Sequence, residues 1–140
     1  MATENAEVEK IRHKAQKLLG AQRTLVQALL RLREQLGGSL IERWADCRKE
    51  GCACQRGERH GPYFVLSTRS GGRGGYTYLD RPQVPKARDL VRRHRQFQDG
   101  LRRLKGINED LMDAMRRYRE AMARRGERAL RDSAQQKSLA

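Results

Sequence analysis

The sequence predicts a mostly helical α+β protein in which two long helices form an antiparallel coiled-coil hairpin and a small cysteine-bearing β insert sits at the tip. Two observations carry the helices, and one carries the insert. Apolar residues recur at alternating steps of three and four through both ends of the chain, the spacing that keeps one stripe of a helix against a partner. Between these seams the residue types change. Five of the seven aromatic side chains, Trp44, Tyr63, Phe64, Tyr76 and Tyr78, and all three cysteines fall between residues 44 and 78. With 37% hydrophobic and 34% charged residues over 140 positions, apolar side chains are too few for a large globular core and must be used along seams.

The first helix is assigned to residues 1–36, frayed at its start. Its seam is Val8, Ile11, Ala15, Leu18, Gln22, Leu25, Leu29, Leu32 and Leu36, broadened later by Leu19, Val26 and Leu30. Gly37 and Gly38 stop it, since glycine accepts the left-handed conformation that ends a helix. Residues 37–85 form the insert. Ser39–Asp46 reads as a short edge strand, Pro62–Arg69 is dense in β-branched and aromatic residues, and Tyr76–Leu79 is its return strand. A turn centred on Gly71 and Gly72 sets Val65 opposite Tyr78 and Ser67 opposite Tyr76 on one face, and Phe64 opposite Leu79 and Leu66 opposite Thr77 on the other. One face is then tyrosine-rich, the other aliphatic with a phenyl ring. Asp80–Pro85 is an extended link, because each proline disfavours helix in the residue before it.

The second helix, residues 86–126, carries Leu90, His94, Phe97, Leu101, Leu104, Asn108, Leu111, Met115, Tyr118 and Met122 on its seam. Gly100 and Gly106 lie off the seam and each costs about 1 kcal/mol relative to alanine. Residues 127–140 lose the periodicity and read as a flexible tail. In an antiparallel hairpin Leu36 lies near Leu90 to Phe97, Val8 and Ile11 lie near Tyr118 and Met122, and the polar breaks Gln22 and Asn108 meet at one level. A buried polar residue in a seam penalises wrong registers, so that coincidence favours the hairpin. Pairing of each helix with its counterpart in a second molecule satisfies the same periodicity, and the widened stripe around Leu19, Val26, Leu30, Ile107 and Met112 leaves room for both.

The insert is centred on CRKEGCACQRGERHGPY, residues 47–63. Thiolate sulfur and imidazole nitrogen are the donors zinc prefers, and a structural site needs four in a tetrahedron. Cys47, Cys52, Cys54 and His60 supply four at C-x4-C-x-C-x5-H spacing, a candidate Cys3His zinc knuckle. The Cys52-x-Cys54 step is tighter than the C-x2-C pairs of common zinc fingers. Two other readings compete. Reduced cysteines can be small core fillers, but the residues around these offer almost no apolar company. Thiols beside Arg48, Lys49 and Arg56 can be reactive, but no C-x-x-C is present and nothing marks His60 as an oriented base. The run GSLIERWADCRKEGCACQRGERHGPYFVLS resembles a small prokaryotic family of unknown function with a Gly-Ser start, a C-x4-C-x-C cluster and His-Gly-Pro-Tyr before a strand. The resemblance covers Gly38 to about Leu66 and points at Cys47, Cys52, Cys54, His60, Gly61, Pro62 and Tyr63. It implies a shared motif and no reaction.

Net charge is +14 and the pI about 10.7, which makes a polyanion the expected partner. Basic residues exceed acidic ones by 8 to 6 over residues 1–46, 7 to 3 over 47–81 and 15 to 7 over 82–131. Arginine dominates, and its planar fork suits bidentate phosphate contact and stacking on bases. The expected nucleic-acid-binding set, for DNA or RNA, is Arg48, Lys49, Arg56, Arg59, Tyr63, Arg69, Arg73, Tyr76, Tyr78, Arg92, Arg93, Arg95, Arg102 and Arg103, with the tyrosines stacking on unpaired bases. The alternative is an oligomeric coiled-coil accessory subunit of a larger nucleic-acid-processing enzyme. No catalytic constellation is found: His13 and His94 are dispersed, no paired carboxylates occur, and SGGRGG lies in a hairpin turn, so enzymatic activity is not expected. The N-terminus MATENAEVEK is too polar for a secretion signal, no run approaches a membrane span, and an odd cysteine count fits the reducing cytoplasm.

Overall fold

The structure is a computed structural model and describes residues 2–47, 49–70 and 73–139, with the backbone alone at residues 69, 70, 73 and 139. Helix α1 spans Ala2–Leu29, strand β1 Gly38–Ala45, strand β2 His60–Ser70, strand β3 Arg73–Leu79 and helix α2 Val84–Leu139, with short 3-10 turns at Ala53–Arg56 and Arg81–Gln83. The chain divides into a helical unit, Met1–Leu29 with Gly100–Ala140, and a sheet unit, Leu30–Asp99. Among the described residues no helix is long and apolar enough to cross a membrane.

In the helical unit the α1 seam is covered as its spacing requires. Val8, Leu25 and Leu29 are buried, and Ile11, Ala15, Leu18 and Gln22 are half-buried. Contacts with α2 recur along its length. Gln22 donates from Nε2 to Asn108 Oδ1 at 2.7 Å, the pairing of polar breaks expected from the two seams. Arg12 donates to the Tyr118 hydroxyl at 3.0 Å with its guanidinium 5.5 Å from that ring's centre, and Arg125 and Arg128 reach Asn5 and Glu4. The partners rise in one helix as they fall in the other. On α2, however, the covered stripe is Gly100, Leu104, Ile107, Leu111, Ala114, Tyr118, Ala121 and Met122. This shares Leu104, Leu111, Tyr118 and the half-buried Met122 with the expected seam, but it takes Ile107 in place of Asn108 and the small residues Gly100 and Ala114 in place of Leu101 and Met115, which are exposed. Small side chains admit the partner's bulk: the Leu29 side chain occupies the space where a Cβ on Gly100 would lie.

Helix α1 ends at Leu29 although the apolar period continues to Leu36. Beyond it the backbone groups find other partners, Leu32 C=O accepting from Gln35 Nε2 at 2.7 Å and Leu36 N–H donating to Leu90 C=O at 3.1 Å. Gly37 lies against the His94 ring, and Gly38 opens β1 with no room for a side chain beside the Ser67 carbonyl, so the glycine pair serves close approach rather than a helix cap. The Asp80–Pro85 segment turns rather than extends. Gln83 N–H donates to Asp80 C=O, Asp80 N–H donates to Gln83 Oε1, and Pro85 sits in the first turn of α2, where a missing N–H costs nothing. At its far end α2 runs past residue 126 to Leu139, its last turns rich in Ala, Arg, Glu and Gln, good helix formers, and supported by Arg131 to Glu127 at 3.7 Å and Arg128 to Glu4.

The sheet is antiparallel in the order β1-β2-β3. Val65 pairs with Tyr78, Ser67 with Tyr76, Phe64 with Leu79 and Leu66 with Thr77, the expected register. Strand β1 adds Ile41 opposite Val65, Leu40 opposite Leu66, Glu42 opposite Phe64 and Arg43 opposite Tyr63. Paired residues share a face, so Ile41, Arg43, Tyr63, the buried Val65, Tyr76 and Tyr78 lie on one side and Leu40, Glu42, Phe64 and Leu66 on the other. Leu66, Val84, Ala87 and Val91 are buried, and Leu40 and Phe64 line a groove with Val91 of α2, so the aliphatic face is the one that α2 covers.

The two off-seam glycines of α2 should respond oppositely to alanine. Nothing lies within 4 Å of a Cβ at Gly106, so Gly106→Ala should stabilise by about 1 kcal/mol. At Gly100 the same gain is outweighed by overpacking against Leu29, with Cγ only 3.0 Å from the new carbon, so Gly100→Ala should destabilise by about 1–3 kcal/mol before that gain is subtracted. Urea titration followed by helical ellipticity would read both; equal shifts in one direction would contradict the packing described.

Candidate metal centre

Pairing of β1 with β2 ends in an irregularity between Arg43 and Ala45, after which Ala45 faces His60. Cys47 therefore leaves the sheet two residues beyond one side of this closure, while His60 is the first residue of the other. Gly61 sits at φ +136°, and a Cβ there would lie 2.8 Å from the Arg43 carbonyl, so only glycine lets β2 begin this close to β1. The intervening loop folds on its own backbone. Cys52 N–H donates to Lys49 C=O, Gln55 N–H to Cys52 C=O and Gly57 N–H to Cys54 C=O, with Gly51 and Gly57 in left-handed conformation at the bends. The 3-10 turn Ala53–Arg56 carries Cys54 inward, where it is buried, and leaves Cys52 just ahead of it, half-buried.

Sheet end and loop bring Cys47, Cys52, Cys54 and His60 together, one donor atom from each within 4.8 Å of every other. Cys47 Sγ and Cys54 Sγ are 3.3 Å apart, and Cys52 Sγ lies 3.1 Å from His60 Nε2. A tetrahedral site with bonds of about 2.3 Å to sulfur needs donors about 3.8 Å apart. The group brackets that value, and shifts of about half an ångström at its close pairs and up to about 1 Å at its widest would reach it, so the four side chains could bind a metal ion. Their protonation is set unequally. The Cys54 backbone N–H, then hydrogen bonds from the Cys47 and Cys54 thiols, hold the Cys52 thiol down at about 6, whereas burial, then the Cys47 thiol, pushes Cys54 up to about 11. Cys54 accordingly donates to the Cys47 carbonyl at 3.5 Å.

The basic and aromatic residues expected to meet nucleic acid are distributed as follows. Lys49, Arg56 and Arg59 are exposed around the ligand loop, Arg59 lying 3.7 Å from Asp46. Arg48 lies outside the described residues, as do the side chains of Arg69 and Arg73. Tyr63, Tyr76 and Tyr78 are 45%, 65% and 66% exposed. Arg92 and Arg93 are bound to Asp89 at 2.5 and 2.8 Å, and Arg93 also lies 3.9 Å from Glu34, while Arg95 is exposed on the same stretch of α2. Arg102 and Arg103 are exposed in the helical unit. Arg43 belongs with the tyrosines and was not among the expected residues: its guanidinium stacks 5.5 Å from the centre of the Tyr76 ring. The alternation of Ile41 and Arg43 in β1 is the signal that places it there.

Fold and site together define a small, mostly helical α+β protein with a Cys3His donor group closing one end of a three-stranded sheet. The chain belongs to the family described as Domain of unknown function (DUF6788), whose model matches residues 15–89, just over half of its length. The matched segment takes in the later part of α1, the whole sheet with its ligand loop, and the first turns of α2. Comparison with curated proteins and with solved structures gives no match.

In metal-free protein the thiols should alkylate in a fixed order. A thiol lowered to about 6 is mostly thiolate at pH 7 and reacts steadily from there upward, slowing only as pH falls through 6; one raised to about 11 stays protonated until strongly alkaline pH. Iodoacetamide at pH 7 with peptide mass analysis should mark Cys52 first and Cys54 last, and metal should protect all three. Equal labelling of Cys52 and Cys54 in the folded protein would contradict the arrangement.

Proposed function

We propose that the chain is a basic nucleic-acid-binding protein whose zinc-stabilised β tip holds unpaired bases while arginines of α2 contact phosphates. The observation that carries this reading is the open face of the sheet. Three exposed tyrosines project there from β2 and β3 around the buried Val65, with Arg43 stacked on Tyr76, on the face opposite the one that packs on α2. A soluble protein gains nothing from exposing three aromatic rings on one small sheet, whereas successive bases stack on such rings at about 1–3 kcal/mol each, and guanidinium groups add stacking and charge. Net charge of +14 supplies attraction to a polyanion. Zinc is the metal we assign, because three thiolates and an imidazole make a closed four-donor set of the kind used structurally. We read the C-x4-C-x-C-x5-His-Gly-Pro-Tyr run as the family's signature and the paired helices as an antiparallel coiled-coil hairpin that carries the tip.

A second reading, an oligomeric coiled-coil accessory subunit of a larger nucleic-acid-processing enzyme, is supported by apolar side chains on the other flank of α2. Leu101, Met112 and Met115 are 44%, 53% and 48% exposed, which suits contact with another helix. Light scattering combined with electrophoretic shift separates the two. A monomer that binds unpaired probes by itself supports the first, and a stable oligomer that binds none supports the second.

Metal analysis of protein purified without chelator should find about one zinc per chain, and Cys52→Ser or Cys54→Ser should abolish it while helical ellipticity persists. Zinc retained in full by both variants would exclude this ligand set. For binding, Tyr76→Ala with Tyr78→Ala should weaken a single-stranded probe by about 2–6 kcal/mol in total, and log affinity should fall linearly with log salt at a slope near −0.7 per phosphate contacted. Unchanged affinity in the tyrosine variant would remove the open face from the account.

A further inference from the structure

The opposite face of the sheet holds a second feature. A groove of about 480 Å³ runs between β1, β2 and the first turns of α2, floored by Leu40, Phe64 and Val91. Arg88, Arg92 and Arg95, on consecutive turns of the helix, form one wall, and Glu42 stands on the other. The charges are not alike in their freedom. Arg92 is held by Asp89 at 2.5 Å, so part of its charge is already answered. Arg88, Arg95 and Glu42 make no ion pair among the described residues, although three guanidinium groups and a carboxylate line one groove. Two unanswered cations over an apolar, phenyl-bearing floor are complementary to a molecule that carries an anion beside a flat apolar ring, and a nucleoside phosphate has that shape and fits that volume. Glu42 adds direction: an ionised carboxylate only accepts, so it favours a base edge that presents adjacent N–H donors, as guanine does, over one that presents carbonyls.

We infer that this groove is a nucleotide-sized site, separate from the tyrosine face, in which a nucleoside phosphate lays its base on Leu40 and Phe64, offers its donor edge to Glu42 and sets its phosphate between Arg88 and Arg95. The inference rests on the nucleic-acid reading for its ligand class, and the nucleotide can be free or the end of a strand.

Calorimetric titration of the full chain with GMP, UMP and inorganic phosphate tests the site, and a 5′-phosphorylated single-stranded oligonucleotide beside its unphosphorylated twin tests the source. GMP should bind at least tenfold tighter than UMP and far tighter than phosphate, Arg88→Ala with Arg95→Ala should weaken it at least tenfold, and Glu42→Gln should erase most of the GMP preference. Arg88 and Arg95 are exposed, so these variants should keep the fold, checked by ellipticity and metal content. Tyr76→Ala with Tyr78→Ala should leave GMP binding unchanged. A 5′-phosphate that strengthens oligonucleotide binding through Arg88 and Arg95 identifies a strand end, and GMP binding without any oligonucleotide binding identifies a free nucleotide and rejects the nucleic-acid reading alone. GMP held no better than phosphate, or GMP binding lost in the tyrosine variant and kept in the arginine one, would overturn the groove. So would oligonucleotide binding by the wild type with no GMP binding at all.

Discussion

The closure of β1 on β2 at Ala45 and His60 is the constraint on which the centre of the molecule depends. It fixes where two of four metal donors leave the backbone, and the loop between them has only to deliver the remaining two. That loop has little else to hold it. Among the described residues of 46–59 only Cys54 is buried, and the backbone hydrogen bonds of the stretch are local. Ordering a residue costs about 1–2 kcal/mol of chain entropy, which a stretch with so little apolar surface cannot recover from burial. A metal ion shared by the four side chains could supply the difference, since structural zinc contributes roughly 10–16 kcal/mol in small domains.

With its end fixed, the sheet can have two unlike faces. Alternation along each strand sends Phe64 and Leu66 toward α2 and Tyr63, Tyr76 and Tyr78 away from it. Neither face is a spare surface under the proposals made above: one presents rings to stack upon, and the other presents a phenyl floor under arginines. Asp89 has a part in this division. By holding Arg92 and Arg93 it is itself kept below its ordinary value, chiefly through the Arg92 hydrogen bond, and it leaves Arg88 and Arg95 as the uncommitted cations of their groove.

Much of this was legible in the sequence where a local rule fixes geometry. A turn centred on Gly71 and Gly72, which lie outside the described residues, predicts the β2–β3 register that the strands show, and the two polar breaks met, Gln22 on Asn108, at nearly the same distance from the packed pair Leu29 and Gly100. The four donors were legible from their chemistry alone. What stayed hidden depends on contacts between distant segments. The apolar period offers no reason for α1 to end at Leu29, and the segment beyond it is held instead by partners such as the Leu90 carbonyl, which the period does not reveal. Counting large apolar residues chose Leu101 and Met115 for the α2 seam, whereas close packing selected Gly100 and Ala114 beside them, a preference that hydrophobicity does not encode. Strand β1 was recognised, but its pairing with β2, and hence the place of Arg43 among the tyrosines, follows only from the chain closing on itself.

Gly38 and Gly61 stand at opposite ends of the β1–β2 ladder, and each faces a carbonyl of the other strand too closely for any side chain: Gly38 the Ser67 oxygen, Gly61 that of Arg43. A slip that carried Ser39 into the place of Gly38, or His60 or Pro62 into that of Gly61, would bring a side chain against the facing oxygen. It would also turn β1 over, sending Ile41 and Arg43 beneath α2 and Leu40 into water. Two hydrogen atoms in place of side chains thus fit the strands to this one register at both ends of the ladder, and with it they assign each face of the sheet its side chains.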